Sequence, residues 1–268
     1  MNKSVLIVCV NYNSYTELTE YLSSVDRSAL ACDNVKVDVI VADNSTEVKD
    51  VCISEFKNIN IKVQKLDNLG YLPGAQSVIN KVENITKYDY VVVSNVDIQM
   101  RDDFFGNLYK LTHDEDVAWL APKIYSSDED RDMNPQVLSR YSKSKLSMLY
   151  YMYKYPILYY LYTMTAYKRK KLQPQHDEMD IYAGHGSLIM LTRSFFESYK
   201  TINYPIFLFG EELFLAEEIL KVGKKVRYVP SLVIHDKGHI STSKLKKKSF
   251  FKYNEESIKF ILDNYYNE

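Results

Sequence analysis

One aspartate of this chain follows closely on a strand-like run of apolar residues. Residues 90–93 are Tyr-Val-Val-Val, and Asp97 comes shortly after them, behind Ser94 and Asn95. Valine-rich strands are usually buried on both faces of a parallel sheet, and open α/β proteins bind ligands at the carboxyl edge of such a sheet. Asp97 is therefore a candidate to hold a cation and, through it, a phosphate. The alternative is that Asp97 only caps the helix that follows.

Three earlier strand-like runs also end in short polar residues. The runs are residues 4–10, 36–42 and 59–66, and the residues that follow them are Asn11 and Asn13, Asp43 and Asn44, and Asp67 and Asn68. The carboxyl ends of parallel strands lie on one edge of a sheet, so these side chains are expected to converge with Asp97. Asn and Asp are also common turn residues, and each strand end alone is weak evidence. Together they favour an edge that binds a polar ligand such as a nucleotide.

Helical spacing of apolar residues alternates with these strands, which predicts parallel βαβ units and a doubly wound α/β sheet. Helices are expected at residues 15–25, 48–56, 74–82, 104–111 and 211–222. Further strands are expected at residues 117–121, 186–191 and 225–234. Pro230 places a bend or a sheet edge within the last strand. The tail, basic at first and then amphipathic, predicts a C-terminal helix within residues 244–266.

Residues 126–180 interrupt this alternation. The segment is acidic and loop-like at first, and residues 142–162 are rich in tyrosine, with lysines among the tyrosines and Pro156 in the middle. A basic cluster follows at residues 168–171. Apolar side chains with polar tips beside lysines suit a membrane interface. The alternative is a pair of amphipathic helices, broken near Pro156, that pack on the domain or on a second subunit.

The composition of the chain argues against several classes of protein. With 268 residues and a net charge of −1, the chain has no global field that would draw it to nucleic acid. Its cysteines, Cys9, Cys32 and Cys52, form no spaced metal pair and read as reduced thiols of a cytosolic protein. The N-terminus passes into a strand without a signal-peptide core, and no apolar run reaches the roughly 20 residues of a membrane-spanning helix. A cytoplasmic location is expected.

The ordered set of motifs resembles glycosyltransferase family 2, with the GT-A fold, and within it the bacterial rhamnosyltransferase-like enzymes. The motifs are Val10-Asn11-Tyr12-Asn13, Val41-Ala42-Asp43-Asn44-Ser45, Asn68-Leu69-Gly70-Tyr71, Asn95-Val96-Asp97 and, later in the chain, residues 184–191, 207–212 and 228–235. The resemblance covers about residues 4–125 and 180–242. It implies one GT-A catalytic domain at residues 1–243, with residues 126–180 as a helical insert and residues 244–268 as an amphipathic helical tail.

The resemblance implies an inverting, metal-dependent transfer of a sugar from a nucleoside-diphosphate donor to a saccharide acceptor. The leading donor is dTDP-rhamnose, followed by a UDP-hexose. The acceptor is expected to be linked to a polyprenyl lipid, in the synthesis of a bacterial surface polysaccharide such as O-antigen or capsule. The enzyme would then lie at the inner face of the cell membrane. A membrane surface and a second copy of the chain are the two alternative partners of residues 143–171, and no nucleic acid is expected.

In this comparison Asp97 corresponds to the last carboxylate of the family's Asp-x-Asp motif, whose first position is Asn95 here. His235 corresponds to the histidine that completes the metal site in many relatives. A hard divalent cation, Mn²⁺ or Mg²⁺, would neutralise the leaving diphosphate. An imidazole ligand shifts the preference toward manganese without excluding magnesium. The competing interpretation of His235 is a strand-end histidine bonded to the backbone.

The resemblance places a general base at the start of a helix, where this chain has Glu211 and Glu212. Glu212 matches the base that removes the proton of the acceptor hydroxyl, and Glu211 stays the alternative. Both carboxylates also suit the positive end of the helix dipole, which is the purely structural interpretation. The remaining positions fall into a nucleotide-binding set and an acceptor-side set. These are Asn11, Asn13, Asp43, Asn68, Gly70 and Asn95 for the nucleotide, and Gly184, His185 and Ser187 for the acceptor.

Two rival functions remain at this stage. One is a nucleotide-binding α/β protein that has lost catalysis and has a regulatory or scaffolding role, an alternative that rests on Asn95 and Glu212 in place of the usual aspartates. The other is a nucleotidyltransferase, which usually needs a phosphate-binding loop rich in glycine and basic residues near its N-terminus. Residues 11–14, Asn-Tyr-Asn-Ser, lack that composition.

Overall fold

The computed structural model describes residues 2–47, 49–165, 176–237 and 246–267. The elements of the first half are β1 (Lys3–Asn11), α1 (Tyr15–Leu30), β2 (Val35–Asp43), β3 (Asn60–Lys65), α2 (Leu72–Ile79), β4 (Tyr90–Ser94), β5 (Ile98–Met100), α3 (Phe104–Lys110) and β6 (Val117–Ser126). Those of the second half are β7 (Arg131–Asp132), α4 (Lys143–Lys154), α5 (Pro156–Thr165), β8 (Met179–Ile181), β9 (Leu188–Thr192), α6 (Arg193–Ser198), α7 (Glu211–Lys221), β10 (Lys225–Asp236) and α8 (Lys247–Tyr265).

The strands named above form one sheet in the order β3-β2-β1-β4-β9-β6-β10-β5, with β7 beside β6 and β8 beside β10. Strands β3, β2, β1 and β4 run parallel, and β10 runs parallel to β6. Strand β9 lies antiparallel between β4 and β6 and joins the two parallel groups. The predicted α/β fold with parallel βαβ units is therefore confirmed, and the carboxyl ends of β1, β2 and β4 share one edge.

Both faces of this sheet are buried, as the valine-rich strands predict. On β4, Val91 and Val93 pack into the core under α2, α7 and α8, while Tyr90 and Val92 pack into the core under α1 and α3. Cys9 lies within the second core, and its burial raises the pKa of the thiol to about 12. The sheet thus has helices on both sides, which fixes the strand ends that carry the site.

The structure differs from the sequence prediction at several short elements. The helix predicted at residues 48–56 is only a single 3₁₀ turn at Ile53–Glu55, and residue 48 lies outside the described residues. Residues 50–54 alternate short polar and β-branched side chains, which have low helix propensity. Strands β5, β7 and β8 have two or three residues each. Strands this short give no periodic signal, so the sequence did not predict them.

Two predicted interruptions are confirmed. The register between β6 and β10 shifts between Val229 and Val233, around Pro230, which is the predicted bend. Pro156 opens α5 directly after α4 ends, so the tyrosine-rich segment forms two helices broken at this proline. Helix α4 packs against α8, whereas much of α5 is exposed.

An ion pair with a buried carboxylate joins Arg140, which precedes α4, to α7 and α8. Arg140 donates two hydrogen bonds to Glu217, at 2.8 and 3.0 Å, and a third to the carbonyl of Tyr265 at 3.0 Å. The hydroxyl of Tyr182 donates to the same carboxylate at 2.5 Å. The Glu217 side chain is 3% exposed and that of Arg140 is 42% exposed, so the charge-assisted hydrogen bonds satisfy a buried carboxylate from the surface.

Candidate active site

Asp97 and His235 lie at adjoining strand ends. The short strand β5 pairs antiparallel with the end of β10, with Gln99 opposite His235. The ladder continues to a hydrogen bond from the backbone N–H of Lys237 to the carbonyl of Asp97, at 3.2 Å. Residues opposite each other in a ladder share one face, so Gln99 and His235 fall on the same side, and Asp97 lies two residues before Gln99. Asp97 is buried, and the His235 ring packs edge-on against Tyr125 with centroids 5.9 Å apart.

This corner offers one carboxylate and one imidazole to a cation. Within the described ranges of the chain, no three His, Cys, Asp or Glu side chains form a group that could hold a metal ion by themselves. A carboxylate and an imidazole are donors that Mn²⁺ accepts, and a cation held by two protein ligands keeps positions for diphosphate oxygens. The donor set therefore fits a cation shared with a substrate, rather than a closed structural metal site.

Asp43 and Asn11 stand opposite each other at the ends of β2 and β1. Asp43 Oδ1 accepts hydrogen bonds from Asn11 Nδ2 at 3.0 Å and from Ser45 Oγ at 2.6 Å, and its Oδ2 accepts one from the Tyr15 hydroxyl at 2.9 Å. Both strand-end side chains are buried. The predicted convergence on one edge thus takes the form of a hydrogen-bonded floor made by β1, β2 and α1.

Asn13, Asn68 and Gly70 shape the loops at this edge. The Asn13 side chain donates to Thr46 Oγ1 at 3.0 Å and accepts from the Glu47 N–H at 3.1 Å, which fastens the loop after β2. The Gly70 N–H donates to Asn68 Oδ1 at 3.3 Å. These contacts make all three residues turn formers.

Gly70 allows the loop before α2 to dock on the segment before α7. It has a φ of +91°, and a Cβ there would lie 1.9 Å from the Phe207 carbonyl oxygen. Its own carbonyl accepts from Asn44 Nδ2 at 2.7 Å, and the Tyr71 N–H donates to the Phe207 carbonyl at 3.0 Å. No other residue type fits this close approach. The end of β2 is thereby tied to the approach to α7.

The segment that leads into α7 is held from a second direction by α2. Gln76 and the backbone of Tyr204 exchange hydrogen bonds at 2.9 and 2.8 Å, and Asn80 does the same with Ile202 at 2.8 and 2.9 Å. Gln76 and Asn80 are four residues apart and therefore share one face of the helix. These hydrogen bonds hold the segment before α7 against α2.

Helix α7 begins with the acid pair Glu211-Glu212, after two residues with positive φ. Phe209 has a φ of +69° and Gly210 one of +80°. A bulky residue with positive φ is strained, and such strain persists only where the surroundings impose it. Here the Phe209 carbonyl accepts from the Tyr204 hydroxyl at 2.6 Å. The strained turn leads into a helix start whose two carboxylates both lie beside Gly186.

The two carboxylates differ in environment. Glu211 is 7% exposed, and its Oε2 has no hydrogen-bond partner within the described residues. Glu212 is partly exposed, and its Oε1 accepts the Gly186 N–H at 3.2 Å. Burial and the adjacent Glu212 raise the pKa of Glu211 well above its ordinary value, and burial also raises the pKa of Glu212. The pair is therefore poised to bind a proton.

The turn at residues 185–187 connects the acid pair with the end of β4. The Asn95 N–H donates to the Ser187 carbonyl at 2.9 Å, and His185 Nδ1 lies 2.9 Å from Ser187 Oγ. A Cβ on Gly186 would lie 2.7 Å from Glu212 Oε1 and 3.1 Å from Glu211 Oε1. Only glycine lets both carboxylates approach the turn this closely.

Gly184 has a different environment from its neighbours in the acceptor-side set. A Cβ at this position would lie 2.7 Å from the Ala121 Cβ and 3.0 Å from Trp119 Cζ2. Gly184 therefore packs on β6, and its small size serves the core. His185 and Ser187 lie on the turn beside the acid pair.

Sequence reasoning gave no role to Tyr71 or Gly186, although both contact the site. Tyr71 ends the motif Asn68-Leu69-Gly70-Tyr71, and its hydroxyl donates to the Gly186 carbonyl at 2.7 Å. The contact joins residues 115 positions apart in the chain, so no local pattern could predict it. The only sequence signal was a glycine within the motif at residues 184–191.

One protein family and two solved structures are similar to this chain. Residues 4–174 match the family described as Glycosyl transferase family 2. The chain is similar to the crystal structure of S. aureus TarS, with 12% sequence identity and a TM-score of 0.57. It is also similar to that of GalNAc-T7 with UDP, GalNAc and Mn2+, with 14% identity and a TM-score of 0.59. No curated protein matched.

The two solved structures are longer than this chain. The first alignment covers 100% of this chain and 41% of TarS, and the second covers 98% of this chain and 50% of GalNAc-T7. Identities this low show a shared fold and nothing of the substrate. Both neighbours are GT-A glycosyltransferases, which confirms the predicted GT-A fold.

Proposed function

The chain belongs to glycosyl transferase family 2, and from this premise we propose that it transfers a sugar, with inversion, from a nucleoside-diphosphate donor to a saccharide hydroxyl. The observation that carries the proposal is the turn at residues 185–187. Gly186 holds Glu212 of the acid pair, and Ser187 holds Asn95, two residues before Asp97. A base for the acceptor and an anchor for the diphosphate therefore meet across one turn.

Glu212 is the proposed general base. Glu212 is the less buried residue of the pair and accepts the Gly186 N–H, whereas Glu211 is buried and its Oε2 has no hydrogen-bond partner among the described residues. Two carboxylates this close do not both ionise readily, and the more deeply buried Glu211 keeps the proton. The acceptor oxygen then attacks the anomeric carbon, the bond to the diphosphate oxygen breaks, and the hydroxyl proton passes to Glu212.

Asp97 and His235 are the proposed ligands of a divalent cation, Mn²⁺ or Mg²⁺. When bound, the cation supplies positive charge that offsets the charge of the leaving diphosphate. The GalNAc-T7 structure contains UDP and Mn2+, which supports a divalent cation as the cofactor here. Asn95 places an amide where relatives of this type have a carboxylate, so the cation would be held with modest affinity until the diphosphate binds.

The nucleotide is proposed to lie over the ends of β1 and β2. Asn11 and Asp43 form the floor, and the loops shaped by Asn13, Asn68 and Gly70 surround it. The acceptor approaches from the turn that carries His185 and Ser187, with Gly184 behind it. The proposed donors are dTDP-rhamnose and the UDP-hexoses, in a rhamnosyltransferase-like role in O-antigen or capsule synthesis.

We further propose that α5 rests on an anionic lipid surface. Ile157 is 70% exposed and Met164 is 84% exposed, and further large apolar side chains of α5 are also exposed. Residues 142–165 contain no Asp or Glu. Tyr159 of α5 packs edge-on against Phe251 of α8, with ring centroids 5.3 Å apart. Three exposed lysines at residues 246–248 stand at the start of α8. An apolar face flanked by cations matches the headgroup region of a membrane.

This arrangement makes the protein peripheral at the inner face of the membrane and suits an acceptor carried by a lipid. In the parts of the chain that the structure describes, no helix is long and apolar enough to cross a membrane. The predicted basic cluster at residues 168–171 lies outside the described residues. The proposed division has residues 126–180 as an insert in a catalytic domain of residues 1–243, with residues 244–268 as the tail.

Flotation with vesicles that contain phosphatidylglycerol tests the membrane proposal. The wild type should float at low salt, and the double variant Ile157→Asp, Leu161→Asp should stay at the bottom. The control Lys62→Asp alters charge on the remote edge strand β3 and should float as the wild type does. Absence of flotation, together with a wild type that sediments as a dimer and a double variant that sediments as a monomer, would assign the face to a second copy.

A screen of nucleoside diphosphates tests the donor site. UDP, dTDP and GDP are added to the full chain with and without Mn²⁺, and thermal unfolding is recorded. A ligand of the folded state raises its stability, so one nucleotide should raise Tm more in the presence of Mn²⁺. Asp97→Asn should remove the effect of Mn²⁺ and keep part of the effect of the nucleotide. A wild type that responds to no nucleotide contradicts the proposal.

A further inference from the structure

The carbonyl and the N–H of Gly186 are both hydrogen-bonded to side chains, one from the loop before α2 and one from α7. Its carbonyl accepts the hydroxyl of Tyr71 at 2.7 Å, and its N–H donates to Glu212 at 3.2 Å. The adjoining peptide group is fixed by the Asn95 N–H on the Ser187 carbonyl. Gly186 has no side chain of its own that could fix the turn, so these contacts set the direction of its N–H.

Tyr71 is itself a rigid support. Its ring is buried, its N–H donates to the Phe207 carbonyl at 3.0 Å, and its carbonyl accepts the Ala75 N–H at 3.1 Å in the first turn of α2. A side chain anchored at its backbone and packed around its ring delivers its hydroxyl to one place. The Tyr71 hydroxyl is thus a rigidly held hydrogen-bond donor to the Gly186 turn.

We propose that Tyr71 is a positioning residue for Glu212: its hydroxyl fixes the Gly186 carbonyl, so that the N–H of the same glycine points at the Glu212 carboxylate. The proposal rests on the proposed role of Glu212 as the base. It adds a residue from the loop before α2, far along the chain from the acid pair, to the acceptor side of the reaction. Tyr71 thereby orients the Glu212 carboxylate, which accepts the proton of the acceptor hydroxyl.

The surrounding charges keep Tyr71 a hydrogen-bond donor. Burial and the carboxylates of Glu211, Glu212 and Asp97 raise the pKa of Tyr71 well above its ordinary value, so the hydroxyl stays protonated. The other titratable groups that face the acid pair are Tyr141 and Tyr204, and His185 adjoins the turn. The Gly186 N–H lowers the pKa of Glu212 against the effect of burial. Loss of that N–H would leave Glu212 a more strongly protonated group.

A spectrum of [¹⁵N]glycine-labelled protein tests this arrangement without any donor. The chain has 8 glycines, so few signals arise, and Gly186→Ala identifies that of Gly186. In the wild type the Gly186 amide signal should move as pH is raised through the titration of Glu212, and Glu212→Gln should remove most of the movement. In Tyr71→Phe the movement should be largely lost, and amide exchange at Gly186 should be faster by about fivefold, as for one lost hydrogen bond.

Tyr88→Phe is the matched control. It also removes one buried tyrosine hydroxyl, which donates to Asp38 Oδ2 at 2.8 Å on another part of the sheet, and it should leave the Gly186 signal unchanged. A Gly186 amide that titrates and exchanges in Tyr71→Phe as in the wild type would overturn the proposal. So would a pH-dependent movement of the Gly186 signal in Glu212→Gln that is as large as in the wild type, since Glu211 and His185 would then account for all of it. A wild type without sugar transfer refutes the proposed function instead, since these spectra need no substrate.

Discussion

Three substitutions of glycine by alanine should separate the reaction from the fold. In Gly186→Ala the new Cβ would lie 2.7 Å from Glu212 Oε1, and an ordinary contact needs at least 3.4 Å. The carboxylate must therefore move by about 0.7 Å. It is the end of a flexible side chain, so the move costs little stability, whereas a misplacement of 1 Å in an active site can cost about 100-fold in rate. We expect release of nucleoside diphosphate from the donor to fall at least about tenfold.

Gly184→Ala should behave in the opposite way. Its Cβ would lie 2.7 Å from the Ala121 Cβ and 3.0 Å from the ring of Trp119, both in the rigid core. Overpacking of this kind destabilises a protein by about 1–3 kcal/mol. Gly106 lies in α3 and a Cβ there meets nothing within 4 Å, so Gly106→Ala should be neutral or stabilise by up to about 1 kcal/mol.

Thermal unfolding and diphosphate release are measured on the same three preparations. We expect a normal Tm with slow diphosphate release in Gly186→Ala and a Tm lower by several degrees in Gly184→Ala. Gly106→Ala should lose neither Tm nor release rate. If Gly186→Ala releases diphosphate at the wild-type rate, the carboxylate beside Gly186 is not the base. If it unfolds as early as Gly184→Ala, the turn at residues 185–187 is only a packing feature.

Three further predictions concern the acid pair and the ion pair. Glu211 has a raised pKa in the folded state, so its ionisation destabilises the protein as pH rises above the ordinary value, and Glu211→Gln should be the more stable protein near pH 8 by urea unfolding, with no difference near pH 4. Activity should fall as pH is lowered through the raised pKa of Glu212, and a rate independent of pH from 5 to 8 would contradict the base assignment. Arg140→Ala leaves Glu217 buried without its cation and should cost about 1–3 kcal/mol in unfolding free energy, a loss that Arg140→Lys should partly restore.

The fold could be predicted from local pattern because each early element repeats a clear period. The run at residues 90–93 is buried on both faces, as its valines indicate, and α1 follows the spacing of Leu18, Leu22 and Val25. Strand β5 gave no such signal, yet it sets Gln99 opposite His235. Three residues are too few to show a period, so that pairing is visible only in the structure.

The candidate site was predictable only where the residue type itself carries the chemistry. Carboxylates that follow a strand or begin a helix make Asp97, Glu211 and Glu212 candidates. The hydrogen bonds beside Glu212 come from residues without an obvious reactive group: Gly186 donates to its carboxylate, and Tyr71 donates to the Gly186 carbonyl. Such contacts depend on tertiary packing across the sheet, which a single sequence does not contain.

Donor turnover by the wild type and by Glu212→Gln tests the central claim most directly. The chain with Mn²⁺ is given dTDP-rhamnose or UDP-hexoses together with saccharide acceptors, or with water alone to receive the sugar, and nucleoside diphosphate release is followed alongside binding of the same donor. We expect the wild type to turn over at least one donor. Glu212→Gln should bind the same donor equally well but release diphosphate at least about 100-fold more slowly. Equal rates in the two proteins, or a wild type that binds the donor without turning it over, would contradict the central claim.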